Sequence, residues 1–163
     1  MCFDVACMRQ ALKPGKLAAA LKQPVNISSV DSLCQSVILL LHARLGSYLS
    51  MAQKAGAAVS GTTPLHKALT RRQVRYMVLA EDMAATRAEV YHGLCRQQSI
   101  PWLTLFSKDE LGQLLGKPER SAVGLTDMRF GKPLQATANT LRRLQADSGC
   151  AETPGNRAIS SSL

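Results

Sequence analysis

Short apolar runs of strand length alternate with helical segments between residues 31 and 144. The run over residues 74–80 is nearly continuous, which is typical of a strand covered on both faces. Apolar residues over 31–55 recur in steps of three and four, which indicates one long amphipathic helix. Ser107 followed by Glu110 predicts a capping box at the start of another helix. This alternation predicts an α/β fold, a three-layer α/β/α sandwich with about four strands. The predicted strands are 57–60, 74–80, 100–106 and 122–126, and the predicted helices are 31–55, 64–72, 84–98, 107–115 and 132–144.

The ends of the chain differ from this central part in composition. Residues 1–25 form a short basic segment with Pro14 and Gly15 at its middle, and residues 26–30 read as a linker. Residues 146–163 are rich in Ser, Gly, Pro and Thr, which predicts a disordered tail. The sequence therefore predicts one folded domain over residues 31–145, which is an ordinary domain length.

The charge of the chain points to a polyanionic partner. The formal net charge is +9 and the sequence pI is about 9.7. Residues 50–145 hold 14 of the Lys and Arg residues against 7 Asp and Glu, so the excess belongs to the predicted folded part. Nucleic acid is the most frequent partner of such a surface. Because aromatic residues make up only 4% of the chain, a platform of stacked aromatics is not expected.

The five cysteines form no C-x-x-C pair and show no zinc spacing with histidine. We therefore expect reduced thiols, no metal and no cofactor. No secretory signal is evident, and the longest apolar run, residues 37–41, is too short to cross a bilayer. The sequence predicts a soluble cytoplasmic protein with no membrane partner and no small-molecule substrate.

The segment 59–67, Val-Ser-Gly-Thr-Thr-Pro-Leu-His-Lys, predicts a strand, a glycine turn and a helix start. A helix start exposes backbone N–H groups and favours negative charge, so phosphate is a natural occupant. Thr62 and Thr63 add hydroxyl groups, and Lys67 adds a cation one helical turn further on. Arg71 and Arg72 follow, and their closeness in sequence to the turn makes them candidate phosphate contacts.

Catalytic interpretations have less support. Glu81 and Asp82 close a predicted strand, but no third ligand or histidine stands at a motif spacing, so we expect them to orient loops or cap a helix. Ser60 lacks a G-x-S-x-G context, and Cys95 lacks a paired histidine signature. His66 lies in the turn helix and is a candidate RNA contact. Trp102 lies within a predicted strand and is expected to be buried or half-buried, not to stack on bases.

The ordered segments of the chain resemble the L7Ae/L30e family of kink-turn RNA-binding ribosomal proteins, and within it the small bacterial YlxQ-like members. The matching segments occur in order over roughly residues 38–134: AQKAGAAVSG at 52–61, LAED at 79–82, IP at 100–101, FSKDELG at 106–112, LGK at 115–117 and TD at 126–127. The first 25 residues are similar to the C-terminal end of the YlxR family, and we expect a remnant of that domain there.

The resemblance implies an L30e-like fold with an RNA-facing surface made of two parts. One is the glycine turn with Gly61, Thr62, Thr63 and Lys67, and the other is the facing loop 117–121. The strongest kink-turn binders place Asn and Glu where this chain has Thr63 and Pro64, so strict kink-turn readout is not implied. The predicted RNA-binding residues are Gly61, Thr62, Thr63, Lys67, Arg71, Arg72, Lys117 and Arg120.

These observations predict a non-catalytic protein that binds structured RNA, bulged or kinked, with a link to the ribosome or translation implied by the resemblance. One alternative is a protein-interaction module of the same fold that docks on ribosomal or transcription machinery. A third interpretation, a nucleotide-handling enzyme, lacks a G-x-x-x-x-G-K-[ST] motif and a clear general base.

Overall fold

The computed structural model describes residues 30–147, together with the isolated positions Gln10, Ala19 and Lys22. Apart from these three positions, the predicted remnant at 1–25 lies outside the described residues, as do residues 26–29 of the predicted linker and 148–163 of the predicted tail. Backbone contacts divide the chain into two compact units. The described parts are residues 46–135 in one unit, and residues 30–45 with 136–147 in the other.

The described residues form five helices and four strands, in alternation from the first helix to the last. The helices are α1 (Val30–Lys54), α2 (Thr62–Thr70), α3 (Ala85–Gln98), α4 (Lys108–Leu114) and α5 (Met128–Asp147). The strands are β1 (Ala58–Ser60), β2 (Tyr76–Leu79), β3 (Trp102–Thr104) and β4 (Ala122–Leu125).

The smaller unit is helical in its described residues, since it contains the first part of α1 and the last part of α5. Its buried residues follow helical spacing on each segment. On α1 they are Cys34, Leu41 and Leu45, and on α5 they are Ala138, Leu141 and Leu144.

The larger unit is built on a mixed sheet with strand order β1-β4-β2-β3. β4 lies antiparallel between β1 and β2, and β3 joins β2 in parallel. All residues of β2 and β4 are buried. Because successive side chains of a strand point to opposite faces, both faces of the sheet are covered, as expected for α/β/α layering.

Two glycines show which helices cover the two faces. A Cβ placed on Gly124 of β4 would lie 2.7 Å from Cδ1 of Leu65 in α2. A Cβ placed on Gly131 of α5 would lie 3.1 Å from Cβ of Tyr76 in β2. Tyr76 pairs with Leu125, the neighbour of Gly124, so the two contacts lie on opposite faces. Helix α2 and the first part of α5, residues 128–135, therefore pack on opposite sides of the sheet.

The predicted α/β architecture and the number of strands are confirmed, while the predicted start of the last helix is wrong. α5 begins at Met128 and not at 132, with Pro133 inside the helix. Asp127 explains the early start, because its Oδ1 accepts a hydrogen bond of 2.8 Å from the N–H of Arg129. This is the bond of an N-cap residue.

Replacing Gly124 with alanine tests the packing of α2 on the sheet. The added methyl would overlap the fully buried Leu65, so we expect Gly124→Ala to lower the free energy of unfolding by about 1–3 kcal/mol. Gly93→Ala is the matched control, since nothing lies within 4 Å of its added methyl in α3. That change should raise the free energy of unfolding by about 0.5–1 kcal/mol. Equal effects of the two changes in urea denaturation would contradict the packing.

Candidate nucleic-acid interface

One edge of the sheet collects both halves of the predicted RNA-binding surface. Ser60 ends β1 opposite Val123, and Leu79 ends β2 opposite Ala122 and beside Thr104 of β3. Three strands therefore end, and β4 begins, at this edge. It carries the turn at Gly61, the loop that enters β4, and the segments that follow β2 and β3. We call it the loop edge, with residues 61–63, Lys67 and 117–121 as its members.

The turn at Gly61 has a backbone conformation that only glycine adopts readily. Its φ is 95° and its ψ is 147°, close to a region that residues with a Cβ avoid. Gly61 is the N-cap of α2, and no side chain caps this end. The first hydrogen bond of helical type runs from the N–H of Leu65 to the carbonyl of Gly61, at 3.0 Å. The N–H groups of Thr62 and Thr63 precede it and are offered at the helix start.

Lys67 lies one turn into α2 on the same helix face as Thr63. Residues four apart stack along one face, and side chains tilt toward the N-terminus of the helix. Both side chains are exposed. Lys67 can therefore bring its ammonium group toward a phosphate held by the start of α2.

The facing loop begins at a well-defined helix end. α4 starts with the predicted capping box: Ser107 accepts from the N–H of Glu110, and Glu110 accepts from the N–H of Ser107. It ends where the N–H of Gly116 donates to Gln113 and the N–H of Lys117 donates to Gly112, at 3.0 and 2.9 Å. This is a Schellman motif, with Gly116 at φ 63° in the left-handed position.

The loop then folds back against its own helix at Gly112. A Cβ on Gly112 would lie 2.5 Å from the carbonyl oxygen of Pro118 and 2.9 Å from that of Lys117. These are backbone atoms, so the approach requires glycine. The N–H of Arg120 donates to the carbonyl of Lys108 at 2.9 Å. The hydroxyl of Ser50 in α1 donates to the carbonyl of Leu114 at 2.9 Å and holds the end of α4.

Lys117 connects this loop to the glycine turn. Its Nζ lies 3.5 Å from Oγ of Ser60, the last residue of β1. Ser60 is buried, with 7% of its surface exposed, and directly precedes Gly61. The structure thus brings the ammonium group of Lys117 to the base of the turn. Ser60 lacks the sequence context of a nucleophile, and no local sequence pattern signalled its contact with Lys117, which is 57 residues away.

Arg120 occupies the same loop in a different manner. Its Nη1 donates to the carbonyls of Glu119 and Pro118, at 2.8 and 3.3 Å. The guanidinium group therefore stiffens the loop while it adds positive charge to the loop edge. The Arg120 side chain has less freedom to reach a ligand than that of Lys67, because these two hydrogen bonds favour one rotamer.

Asp82 has a supporting role at this edge. Its Oδ1 accepts from the N–H of Lys108 at 2.9 Å, and its Oδ2 lies 3.8 Å from Nζ of Lys108. The carboxylate therefore holds the start of α4. The N–H of Glu81 donates to the carbonyl of Phe106, and the N–H of Ala80 to that of Ser121. These bonds tie the ends of β2, β3 and the loop together. The side chain of Asp82 has the orienting role expected for it, whereas Glu81 contributes through its backbone N–H.

Arg71 and Arg72 are not at the loop edge. α2 begins at Thr62 and ends at Thr70, and nine residues at 1.5 Å each separate its ends by about 13 Å. The two arginines follow the last residue, so they lie at the far end of the helix from Gly61. Closeness in sequence was misleading here, because a helix carries the chain away from its start.

A groove of about 380 Å³ lies beside the glycine turn, between α2 and α3. Thr62 and His66 line one wall, and Val90, Tyr91 and Leu94 are on the other. Val90 is 62% exposed. His66 therefore borders the loop edge, where the sequence predicted an RNA contact.

Other reactive groups lie away from this edge in the described part of the chain. Cys95 is fully buried, and burial raises the pKa of its thiol to about 12. A thiol with such a pKa stays protonated and is a poor nucleophile.

Trp102 is half-buried and packs beside His92, with 5.4 Å between ring centroids. Within residues 30–147, no three His, Cys, Asp or Glu side chains cluster as metal ligands, and no helix there is long and apolar enough to cross a membrane.

The mixed four-stranded sheet and its loop edge define an α/β protein of the L30e type. A sequence profile of the ribosomal protein L7Ae/L30e/S12e/Gadd45 family matches residues 43–133. The chain therefore belongs to this family. The family and the relatives that match are described as ribosomal and RNA-binding proteins, and the chain is accordingly not an enzyme.

Two individual proteins also match the chain in sequence. The chain is 28% identical over 86 residues to the RNA-binding protein YlxQ of Bacillus subtilis, a match that covers 53% of this chain and 86% of YlxQ. It is 28% identical over 80 residues to the large ribosomal subunit protein eL8 of Picrophilus torridus, which covers 48% of this chain and 61% of that protein.

Two solved structures share the fold. A protein of unknown function from Bacillus halodurans superposes with a TM-score of 0.57 at 27% identity, over 60% of this chain and 98% of that one. The Giardia lamblia 15.5kD RNA binding protein superposes with a TM-score of 0.50 at 18% identity, over 64% of this chain and 89% of that one. The second likeness concerns the fold alone.

The close approach at Gly112 yields a test of the loop. Gly112→Ala puts a methyl group against the carbonyl of Pro118, so we expect the loop 117–121 to move and the unfolding free energy to fall by about 1–3 kcal/mol. Amide hydrogen exchange should show faster exchange at Lys117 and Arg120, whose N–H groups bond back to α4. The neighbouring exposed residue supplies the control, Gln113→Ala. Unchanged protection of both amides in Gly112→Ala would refute the contact.

Proposed function

We propose that this chain is an RNA-binding protein that recognises structured RNA, bulged or kinked, through the loop edge. The observation that carries the proposal is the contact of Lys117 with Ser60, because it joins the loop 117–121 to the glycine turn. The two halves of the surface predicted from the sequence thereby lie side by side, and the members of the loop edge include the three cations Lys67, Lys117 and Arg120 and one carboxylate, Glu119. RNA-binding family relatives support the same interpretation.

The chemistry of the edge suits phosphate. The start of α2 offers the N–H and hydroxyl groups of Thr62 and Thr63, and the helix dipole favours negative charge there. Lys67 and Lys117 approach from the two sides with their ammonium groups, that of Lys67 on an exposed side chain and that of Lys117 beside Ser60. Such groups bind backbone phosphates as point charges and do not read bases.

The shape of the edge favours an interrupted duplex. The grooves of regular A-form RNA expose little sequence information, whereas bulges and internal loops splay bases and phosphates outward. The glycine turn and the facing loop provide two rigid walls, held by the φ of Gly61 and by the approach at Gly112. A bend in the RNA would place consecutive phosphates against both walls.

Strict kink-turn readout is not part of this proposal. Thr63 and Pro64 occupy the positions where the strongest kink-turn binders carry an amide and a carboxylate. Pro64 also has no N–H, so the first turn of α2 offers fewer backbone donors. We expect recognition of the RNA backbone and its bend to dominate.

The relatives suggest where such RNA would be found. One matching protein is a large ribosomal subunit component and another is described as RNA-binding. We therefore extend the proposal to ribosomal or other translation-linked RNA, with ribosome association in the cytoplasm. Copurification of ribosomal RNA with the tagged full chain, and its loss in Lys67→Ala, would support this extension.

Mobility-shift binding to a bulged RNA and to a plain duplex, each at several salt concentrations, tests the proposal. We expect the wild type to bind the bulged RNA more tightly, and Lys67→Ala to weaken that binding and lower the salt slope by about 1. Arg96→Ala removes the same charge from the exposed end of α3, at the other edge of the sheet, and should retain the preference for bulged RNA.

Two results would contradict the proposal. One is equal affinity of the wild type for both RNAs at every salt concentration. The other is an identical effect of Lys67→Ala and Arg96→Ala, since this would show that only net charge matters. Either result would leave only non-specific binding of polyanions, and the protein-interaction module would then be the better interpretation of the loop edge.

A further inference from the structure

The edge of the sheet opposite the loop edge carries its own concentration of positive charge. Between Asp31 and Glu81 the sequence has six basic residues and no acidic residue. Four of the six lie at turns of this opposite edge: Lys54 ends α1, Arg71 and Arg72 follow α2, and Arg75 precedes β2. All four are exposed. We call these four residues the second basic surface.

A shallow groove shows how the surface is put together. It measures about 570 Å³ and is lined by Arg75 together with residues 55–57 and 126–128. The N–H of Arg75 donates to the carbonyl of Leu125 at 2.7 Å, and the N–H of Thr126 donates to that of Ala57 at 2.9 Å. These hydrogen bonds hold the base of the groove, where residues 55–57 have small side chains.

The single carboxylate among the residues that line this groove is already engaged. Oδ2 of Asp127 lies 2.8 Å from Nε of Arg129 and 2.7 Å from its Nη2. The hydrogen bonds from Arg129 hold the pKa of Asp127 below its usual range. Because this ion pair is neutral as a whole, the four cations of the second basic surface keep their charge excess.

Arg72 supplies an independent observation. The N–H of Arg72 donates to Leu69 and the N–H of Gln73 donates to Ala68, each at 2.9 Å, so α2 ends in a Schellman motif with Arg72 in the left-handed position at φ 53°. Glycine occupies the same left-handed position at the ends of two other helices, with Gly56 after α1 and Gly116 after α4. A side chain there is strained relative to glycine.

We infer that the second basic surface binds the phosphate backbone of a helical RNA stem that adjoins the bulge held by the loop edge. The inference rests on the proposed function, since it adds a second contact to the same RNA. Arg72 holds a cation in a strained position where glycine would fold more easily. Its guanidinium group can bind phosphate oxygens with two parallel hydrogen bonds.

Compensation of the α2 dipole offers a simpler reason for cations at this end. It does not account for Arg72, because Arg71 already stands at the C-cap. Nor does it account for Lys54 and Arg75, which extend the charge across the edge beyond α2. The arrangement fits an extended anion such as a nucleic-acid backbone.

Arg72→Gly separates the two roles, because glycine relieves the strain and removes the cation. We expect the melting temperature to rise by a few degrees. Affinity for a bulged RNA with a stem longer by one helical turn should fall roughly three- to tenfold, with a salt slope lower by about 1. Affinity for the same bulge on a minimal stem should not change.

Ser99→Gly is the matched control, since Ser99 holds the left-handed position after α3 at φ 53° and carries no charge. It should raise the melting temperature and leave binding to both RNAs unchanged. Arg72→Lys should retain most of the affinity for the long-stem RNA. Arg75→Gln, which leaves every backbone bond in place, should show the same selective loss as Arg72→Gly.

Three results would overturn the inference while leaving the proposed function intact: equal wild-type affinity for the two stems, equal losses on both stems in Arg72→Gly, or an affinity loss with a lower melting temperature. Failure of the proposed function would look different. In that case the wild type would show no preference for a bulge over a plain duplex, whatever the stem length.

Discussion

The approach of the Pro118 carbonyl to the backbone of Gly112 is the constraint on which the loop edge depends. It allows the loop 117–121 to lie flat against α4 without an intervening side chain. The Schellman motif at Gly116 then directs the chain, and Lys117 reaches Ser60 at the base of the glycine turn. Without this approach, the two halves of the loop edge would have no fixed relation, and Lys67 and Lys117 would not be held near one another.

Helix α2 links two surfaces that share one chemistry. Its N-terminus belongs to the loop edge, and its C-terminus leads into the second basic surface about 13 Å away. The two ends are built differently. At the start, a glycine frees backbone donors, whereas at the end an arginine occupies a position that glycine would fill with less strain. A ligand whose negative charges repeat along one direction, such as a nucleic-acid backbone, can contact both ends of α2.

Local patterns predicted the parts of this fold that local physics decides. The capping box at Ser107, the buried strand β2 and the glycine turn at Gly61 each follow from a few neighbouring residues. Strand order and direction did not, because they depend on pairings such as Leu79 with Ala122. The contact of Lys117 with Ser60 and the far placement of Arg71 and Arg72 also needed the three-dimensional path. The predicted start of α5 at residue 132 was too late, because the cap at Asp127 lets the helix begin at Met128.

Amide chemical shifts of the ¹⁵N-labelled full chain, followed during titration with a bulged RNA, test the central claim most directly. The N–H groups of Thr62 and Thr63 are proposed to donate to phosphate, so their signals should show the largest changes, together with those of the loop 117–121. Ser99, which follows α3 at the opposite edge of the sheet, supplies an internal reference. Signals of Thr62, Thr63 and the loop that stay in place while bound RNA shifts residues elsewhere would contradict the account.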